Sequence, residues 1–436
     1  MLQFYILLFV VLLMAGAVAF WLADTALEKG LVYVYSAVTS IVLVSVLYDM
    51  SLILSLPYWA FLLIAILIAG FLLYYSLRKN PLTRARLNIF GLKPGLYSVV
   101  IIGLIYYLSS LFIPLSVRWG KTDARAIWSL HALFFTDPHH WSDMFTNTIS
   151  WSHPDYPLML PSWIAMLWRA MGMTDAVVPC VIAYLTLVVV LITVSMALKE
   201  ENKYLLGICG LLAFVFTRSY AEMPAFQGAD TLVSLFMLMA FVLARRSGRD
   251  MKLIFLTGFI AGFAGWVKNE GIAFILVFSL AMIWEYRKAR GLLLYYIFGL
   301  ALPVFIIAIY KTGYAPANDI IAGQNLSIIS RLTDVSRYQL TWSFFWRDAS
   351  SLYPVLLVIL TLVAVRGYRR LLDVQLLALF MMVAVYFFIF IITPRDLEWH
   401  LATASVRLFL QLFPAAVYVL MYLLGRDSLA KDQSEI

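Results

Sequence analysis

Carboxylates, cations and histidines collect at a few points of an otherwise oily chain. Asp123 lies in KTDARAIW, Asp155 in SHPDYPLMLP, Asp230 in QGADTLVSLF, and Lys268 and Glu270 in GWVKNEG. A fifth group, TPRDLEWHLATASVR, holds Arg395, Asp396, Glu398, His400 and Arg407, which a helix would place on one face. Asp123 beside an apolar run reads either as a general base for a hydroxyl nucleophile or as a helix N-cap. Asp230 carries the same two readings, and a carboxylate entering an apolar run is costly enough to favour function. Lys268 suits a phosphate with Glu270 orienting it, or else a snorkelling, salt-bridged corner. His153 and Asp155 stand two apart in a turn framed by Pro154 and Pro157; they are a two-ligand candidate for a divalent metal, or simply order the loop with Tyr156. Cations for a phosphate and a carboxylate for an acceptor hydroxyl suit group transfer from a lipid phosphate, where positioning and charge neutralisation supply much of the catalysis.

The elements that must position these residues are membrane helices. The chain has 436 residues, 63% hydrophobic and 13% charged, where a soluble domain would carry about 25% charged residues. The apolar residues fall in continuous blocks, which indicates helices rather than an alternating barrel. Candidate spans are 3–22, 31–48, 52–77, 96–117, 175–198, 204–217, 231–244, 253–267, 271–284, 292–310, 351–365, 371–393 and 407–424, an all-α polytopic bundle of about 13 spans. The N-terminal apolar block lacks a basic lead and reads as a retained helix. Cys180 and Cys209 sit in apolar segments and form no disulfide or metal spacing.

Most of the 32 Lys and Arg fall in loops that share one side if the spans alternate. That side is cytoplasmic by the positive-inside rule, so the net charge of +8 is a topology signal and not a nucleic-acid footprint. The other side receives 118–160, 218–230, the Lys268 corner, 311–350 and 394–406, which hold all five clusters. The tryptophans Trp119, Trp128, Trp141, Trp151, Trp163, Trp342, Trp346 and Trp399 gather there too, as an interface belt. Residues 156–172 read as a helix lying along the interface. An ion-coupled transporter or lipid flippase is the alternative class, but it calls for repeat symmetry and mid-membrane charges.

TDARAIWSLHALFF, SHPDYPLMLP, GADTLVSLFMLMA, GFAGWVKNEGIAF, the APAND loop at Asn318 and Asp319, and TPRDLEWHLATASVRLFLQL, in this order over residues 96–424, together resemble the glycosyltransferase C superfamily. The likeness is to its bacterial branch similar to dolichyl-phosphate-mannose–protein mannosyltransferases and the lipid A aminoarabinose transferase. The resemblance implies a helical first outer loop at 118–160 and a catalytic module at 96–424. Residues 1–95 are then extra helices with a basic cytoplasmic loop, and 425–436 a short tail. It further implies an inverting transfer from a polyprenyl-phosphate sugar (undecaprenyl phosphate, for instance) to a glycan, lipid or protein on the non-cytoplasmic face of a bacterial or archaeal plasma membrane. Asp123 matches the catalytic base and Asp230 the second acidic position. Lys268 matches the donor-phosphate ligand, with Arg125, Arg395 and Arg407 as further phosphate candidates. Asp155 joins Asp123 and Asp230 as a catalytic candidate, His153, Tyr156, Glu270 and His400 would position substrate, and no cofactor is implied beyond a divalent metal if one is used. KTDARA has one acidic residue where the protein mannosyltransferases have an Asp-Glu pair, which weighs against a protein acceptor.

Overall fold

A computed structural model describes residues 1–79, 95–199, 204–317, 328–352 and 354–425. The described residues form helices and turns, with no strand among them. In chain order the helices are α1 (Leu2–Leu22), α2 (Lys29–Ile53), α3 (Tyr58–Lys79), α4 (Leu96–Leu115), α5 (Leu130–Phe134), α6 (Met159–Met171), α7 (Val177–Lys199), α8 (Tyr204–Phe216), α9 (Arg218–Ala225), α10 (Asp230–Ser247), α11 (Met251–Val267), α12 (Asn269–Glu285) and α13 (Arg290–Gly313), followed by α14 (Ile328–Thr333), α15 (Val335–Leu352), α16 (Pro354–Arg366), α17 (Val374–Ile392) and α18 (Leu397–Gly425). Eight are long and apolar enough to cross a membrane, or up to 10 if two bent pairs each count as one span. The chain is therefore an integral membrane protein by length and composition of its helices. Several sequence-derived spans, such as 253–267 and 271–284, correspond to 17-residue helices. Asn318, Asp319, the 80–94 part of the basic loop and residues 426–436 lie outside the described residues.

α18 and α10 form the centre. In α18 83% of the most apolar stretch is buried, against 17% in α4, so α4 faces outward with α3 and α13. Between membrane helices apolar burial gives little driving force, and close approach of small residues takes its place. A Cβ on Gly258 of α11 would lie 2.1 Å from the Tyr296 carbonyl oxygen of α13, and one on Gly299 of α13 2.0 Å from that of Phe255. Backbones can meet at that distance only because both positions are glycine.

The two ends differ in charge. At one, Arg246 donates to the Ala197 carbonyl (2.8 Å), Arg370 to Leu423 (2.7 Å) and Arg366 to Leu424 (3.0 Å), each an otherwise open carbonyl at a helix C-terminus. Asp373 caps α17 through the Gln375 and Leu376 amides and pairs with Arg245 at 2.7 Å. Lys252 pairs with Asp24 there at 2.6 Å. The opposite end carries the loop at 118–158, whose turns are largely helical: a π-helical run Ala124–Ser129, α5, and 3₁₀ turns Trp141–Met144 and Asn147–Ser152.

Three local expectations change. The helix expected along the interface is α6, and its residues are almost all buried among protein. Its apolar content serves packing against α2 and α7 on several sides rather than a lipid surface. The expected loop 311–350 contains α15, an amphipathic helix, whose polar face hid it from a hydropathy reading. Segment 218–230 begins with α9, which continues α8 after a 65° bend at the non-helical Thr217. Of the tryptophans placed in a belt, Trp151, Trp342, Trp346 and Trp399 are exposed, while Trp128 and Trp163 are core residues.

Candidate active site

The site is assembled where the first outer loop meets the start of α10. After α4, Trp119 and Gly120 both take positive φ (67° and 66°). A Cβ at Gly120 would come 2.7 Å from the Phe226 carbonyl oxygen, so the reversal demands glycine both for its conformation and for the contact. The turn is pinned to residues 226–227: the Lys121 amide donates to the Phe226 carbonyl (3.3 Å), and the Gln227 side-chain amide donates to that of Val117 (2.9 Å). Asp123 and Asp230 are thereby set side by side.

Neither carboxylate caps a helix through its side chain. Both are held by one guanidinium. Arg407, two to three turns into α18, places Nη1 2.7 Å from Asp123 Oδ2 and Nη2 2.8 Å from Asp230 Oδ2, with its Nε 3.0 Å from the same Asp230 oxygen. Asp230 Oδ1 accepts from Lys268 Nζ (2.9 Å) and from Gln411 Nε2 (2.7 Å), one turn beyond Arg407. Lys268 Nζ also pairs with Glu270 at 2.7 Å. Asp230 and Glu270 each open a helix, where the free amides and the dipole favour a negative charge. The chain Asp123–Arg407–Asp230–Lys268–Glu270 thus draws on four separated segments, and every link is a direct contact.

Exposure grades along this chain. The Asp123 side chain is 42% exposed and that of Arg407 32%, while Asp230 and Lys268 are each at 5%. The front pair can meet a solute; the rear pair cannot without opening the network. Lys268, expected as a phosphate ligand, stands behind Asp230 and is saturated by two carboxylates. Arg407 is the cation that faces out.

A second, touching network surrounds HPDYP. The Asn269 side-chain amide donates to Asp155 Oδ2 (3.0 Å), and its carbonyl oxygen accepts from Lys311 Nζ (2.8 Å). Lys311 also donates to the Asp155 backbone carbonyl at 2.5 Å. The Tyr310 hydroxyl reaches the carbonyls of Pro154 (2.7 Å) and Tyr156 (2.8 Å). His153, at positive φ of 53°, stacks on Tyr156 at 4.9 Å, and Tyr156 on Trp128 at 5.7 Å. Burial pushes the Tyr156 phenol up, against the opposing pull of nearby Lys268; it stays a neutral donor within reach of the first network. The Lys268–Asn269–Glu270 corner joins the two. A Cβ on Gly271 would sit 1.9 Å from the Ala264 carbonyl oxygen, so this hairpin between α11 and α12 needs glycine to close.

His153 Nδ1 is 4.0 Å from Asp155 Oδ1, and no group of three or more His, Cys, Asp or Glu suited to a metal occurs among the described residues. Among the described residues the pair has no third His, Cys, Asp or Glu beside it and does not fit a metal site. Arg125 is exposed and forms no ion pair among the described residues. The expectation of a shared face on 395–407 gives way: Asp396 accepts the Trp399 amide (2.8 Å) and starts α18, Arg395 lies over the Trp399 ring, and His400 turns to Thr393 (3.0 Å). Arg407 contacts the network directly, and His400 lies near enough to feel the charges of Glu270 and Arg395; α18 begins at Leu397, so its turns point successive polar residues different ways. Sequence reading gave no role to Lys311, Asn269 or Gln411. Gln411 is a polar residue inside an apolar span, a signal that was present; Lys311 sits at a helix end and looks like any terminal cation.

Comparison of the chain with family models, with curated proteins and with solved structures gave no match.

Proposed function

We propose that the protein is a membrane glycosyltransferase that moves a sugar from a polyprenyl-phosphate donor to an acceptor hydroxyl on the non-cytoplasmic face, with inversion. The observation that carries this reading is the sharing of Arg407 between the outward Asp123 and the buried Asp230. A donor phosphate is a stronger anionic partner for a guanidinium than a half-exposed carboxylate. When it binds Arg407, Asp123 is released to act as base while Asp230 keeps the guanidinium in place. The acceptor O–H then gives its proton to Asp123, and its oxygen attacks the anomeric carbon. The bond from that carbon to the phosphate oxygen breaks, its electron pair goes to the phosphate, and Arg407 neutralises the departing lipid phosphate. Lys268 and Gln411 fix Asp230, and through it Arg407. We assign Tyr156 and Lys311 to a sugar hydroxyl or a second phosphate oxygen, because both adjoin the Asp155 network that touches the Lys268 corner.

The placement of all these groups at one end of the bundle supports transfer at an interface over transport, which needs a charged path through the middle. Purified protein incubated with a panel of polyprenyl-phosphate sugars and membrane acceptors should release polyprenyl phosphate in step with a glycosylated product of inverted anomeric configuration. Donor movement across the bilayer with no bond cleavage for any member of the panel would overturn the proposal in favour of a flippase.

A further inference from the structure

The amphipathic helix α15 is built inside out. Val335, Gln339, Trp342, Trp346 and Ser350 recur at helical spacing along its exposed stripe, and none of them carries a charge. Arg337 and Asp348 point the other way, into the protein, beside Phe345, which packs against Phe387, Phe390 and Phe409. A helix that meets water on its open side carries its charges there. This one presents Trp342 and Trp346, each 63% exposed and stacked at 6.5 Å, with Val335 at 65%. Arg347, at the flank of the stripe, is already paired with Asp348 and lies over the Phe344 ring.

Two anchors fix how the helix lies. Arg337 donates to the carbonyls of Phe390 (3.1 Å), Ile391 (2.8 Å) and Thr393 (3.0 Å) at the outer end of α17. Asp348 accepts from the Ser405 hydroxyl of α18. The far ends of α17 and α18 are level, since Arg370, just before the Asp373 cap, donates to the Leu423 carbonyl. From that level α17 rises 19 residues, about 28 Å, and Ser405 stands roughly 20 residues above Gly425, about 30 Å. Both anchors therefore sit at one height, which matches the about 30 Å of a bilayer's hydrocarbon core. The Leu356–Arg366 part of α16 descends to the same far end, where Arg366 reaches Leu424, and makes an angle of 86° with α15. α15 thus lies flat at the lipid–water boundary.

We infer that α15 is a membrane-docking surface: its Trp342–Trp346 face enters the headgroup–acyl boundary of the leaflet at the site's end, and its partner is the lipid surface itself. Tryptophan favours that boundary, where the ring meets acyl chains and the indole N–H stays wet. Gln339 and Ser350 on the same stripe hold the helix there rather than deeper. Two stacked rings also suit a sugar face; the shared height of the anchors and the uncharged stripe favour lipid. The inference does not depend on the transfer reaction. It has a consequence for the site, because Ser405 stands two residues before Arg407, so docking steadies the turn of α18 that holds both carboxylates.

The test uses the full chain in phosphatidylcholine nanodiscs, with Cys180 and Cys209 replaced and a nitrobenzoxadiazole fluorophore on a single introduced cysteine. Gln339→Cys and Ser350→Cys report the stripe and leave both tryptophans in place. Ala384→Cys, exposed halfway along α17, reports the hydrocarbon centre. Glu398→Cys, exposed and about 10 Å further out along α18 than Ser405, reports water. Lipids with a doxyl nitroxide near the headgroup should quench the two stripe probes severalfold more than lipids with the nitroxide near the chain end, and the Ala384→Cys probe should show the reverse order. Aqueous iodide should quench the Glu398→Cys probe severalfold more than either stripe probe. Iodide quenching of the stripe equal to that of Glu398→Cys would overturn the inference and leave the rings to a soluble partner such as a glycan. The nitroxide order found for Ala384→Cys, if seen on the stripe, would overturn it by sinking the helix into the hydrocarbon. Either stripe variant decides the matter alone if the other fails to fold.

Discussion

Asp230 is the residue on which the site rests. Buried, it accepts from Arg407, Lys268 and Gln411, so its loss leaves two neighbouring cations with the more exposed Asp123 and Glu270 as their remaining counter-charges. Asp230→Asn should therefore destabilise the protein by about 3–5 kcal/mol, seen as a lower thermal midpoint in detergent. Asp123→Asn touches a half-exposed group and should leave that midpoint nearly unmoved. His131 offers a pH test away from the site. It is buried, its Nε2–H donates to Ser152 Oγ (3.2 Å), whose own proton goes to the Ile149 carbonyl, and burial holds its pKa down to about 4 from 6.5. The unfolded chain thus binds a proton below pH 6.5 that the folded chain refuses until about pH 4. Stability should fall through that window on acidification, by up to about 3 kcal/mol from this group. His131→Gln should flatten the wild-type slope of thermal midpoint against pH between 6.5 and 4; parallel slopes would reject the assignment.

At the scale of elements, two close approaches set the architecture: α11 against α13 at Gly258 and Gly299, and the α11–α12 hairpin at Gly271. Gly271→Ala must shift backbone at the corner that carries Lys268 and Asn269, at a cost of about 1–3 kcal/mol. Gly70→Ala on α3 meets nothing within 4 Å and is the matched control; equal thermal midpoints for the two variants would contradict the packing account. Most helices were legible as apolar blocks. α15 was not, because an amphipathic helix has no continuous apolar block to reveal it, and neither was the bend at Thr217, whose hydroxyl donates to the distant Leu352 carbonyl (3.2 Å). Of the site, the residues that break an apolar run at its start were legible: Asp123, Asp230, Lys268, and Arg407 from its polar segment. What could not be read was order in depth. Nothing in the spacing distinguishes Lys268 behind Asp230 from Lys268 in front, since that depends on how α10, α11 and α18 pack.

For the whole molecule, basic residues capping helix C-termini at one end and the acidic–cationic network at the other agree with the positive-inside orientation. In a variant with Cys180 and Cys209 replaced, a membrane-impermeant maleimide applied to intact cells should label a cysteine in place of the exposed Trp151 and not one in place of the exposed Arg249. The reverse pattern would put the site in the cytoplasm and exclude the proposed topology.

Whether Asp123, released from Arg407, takes the acceptor proton is decided by the turnover of a polyprenyl-phosphate sugar by wild-type and Asp123→Asn protein of equal thermal midpoint. General-base removal should cost about 10²–10⁴-fold in turnover while donor binding persists. Turnover by Asp123→Asn within a few-fold of wild type would rule out Asp123 as the base.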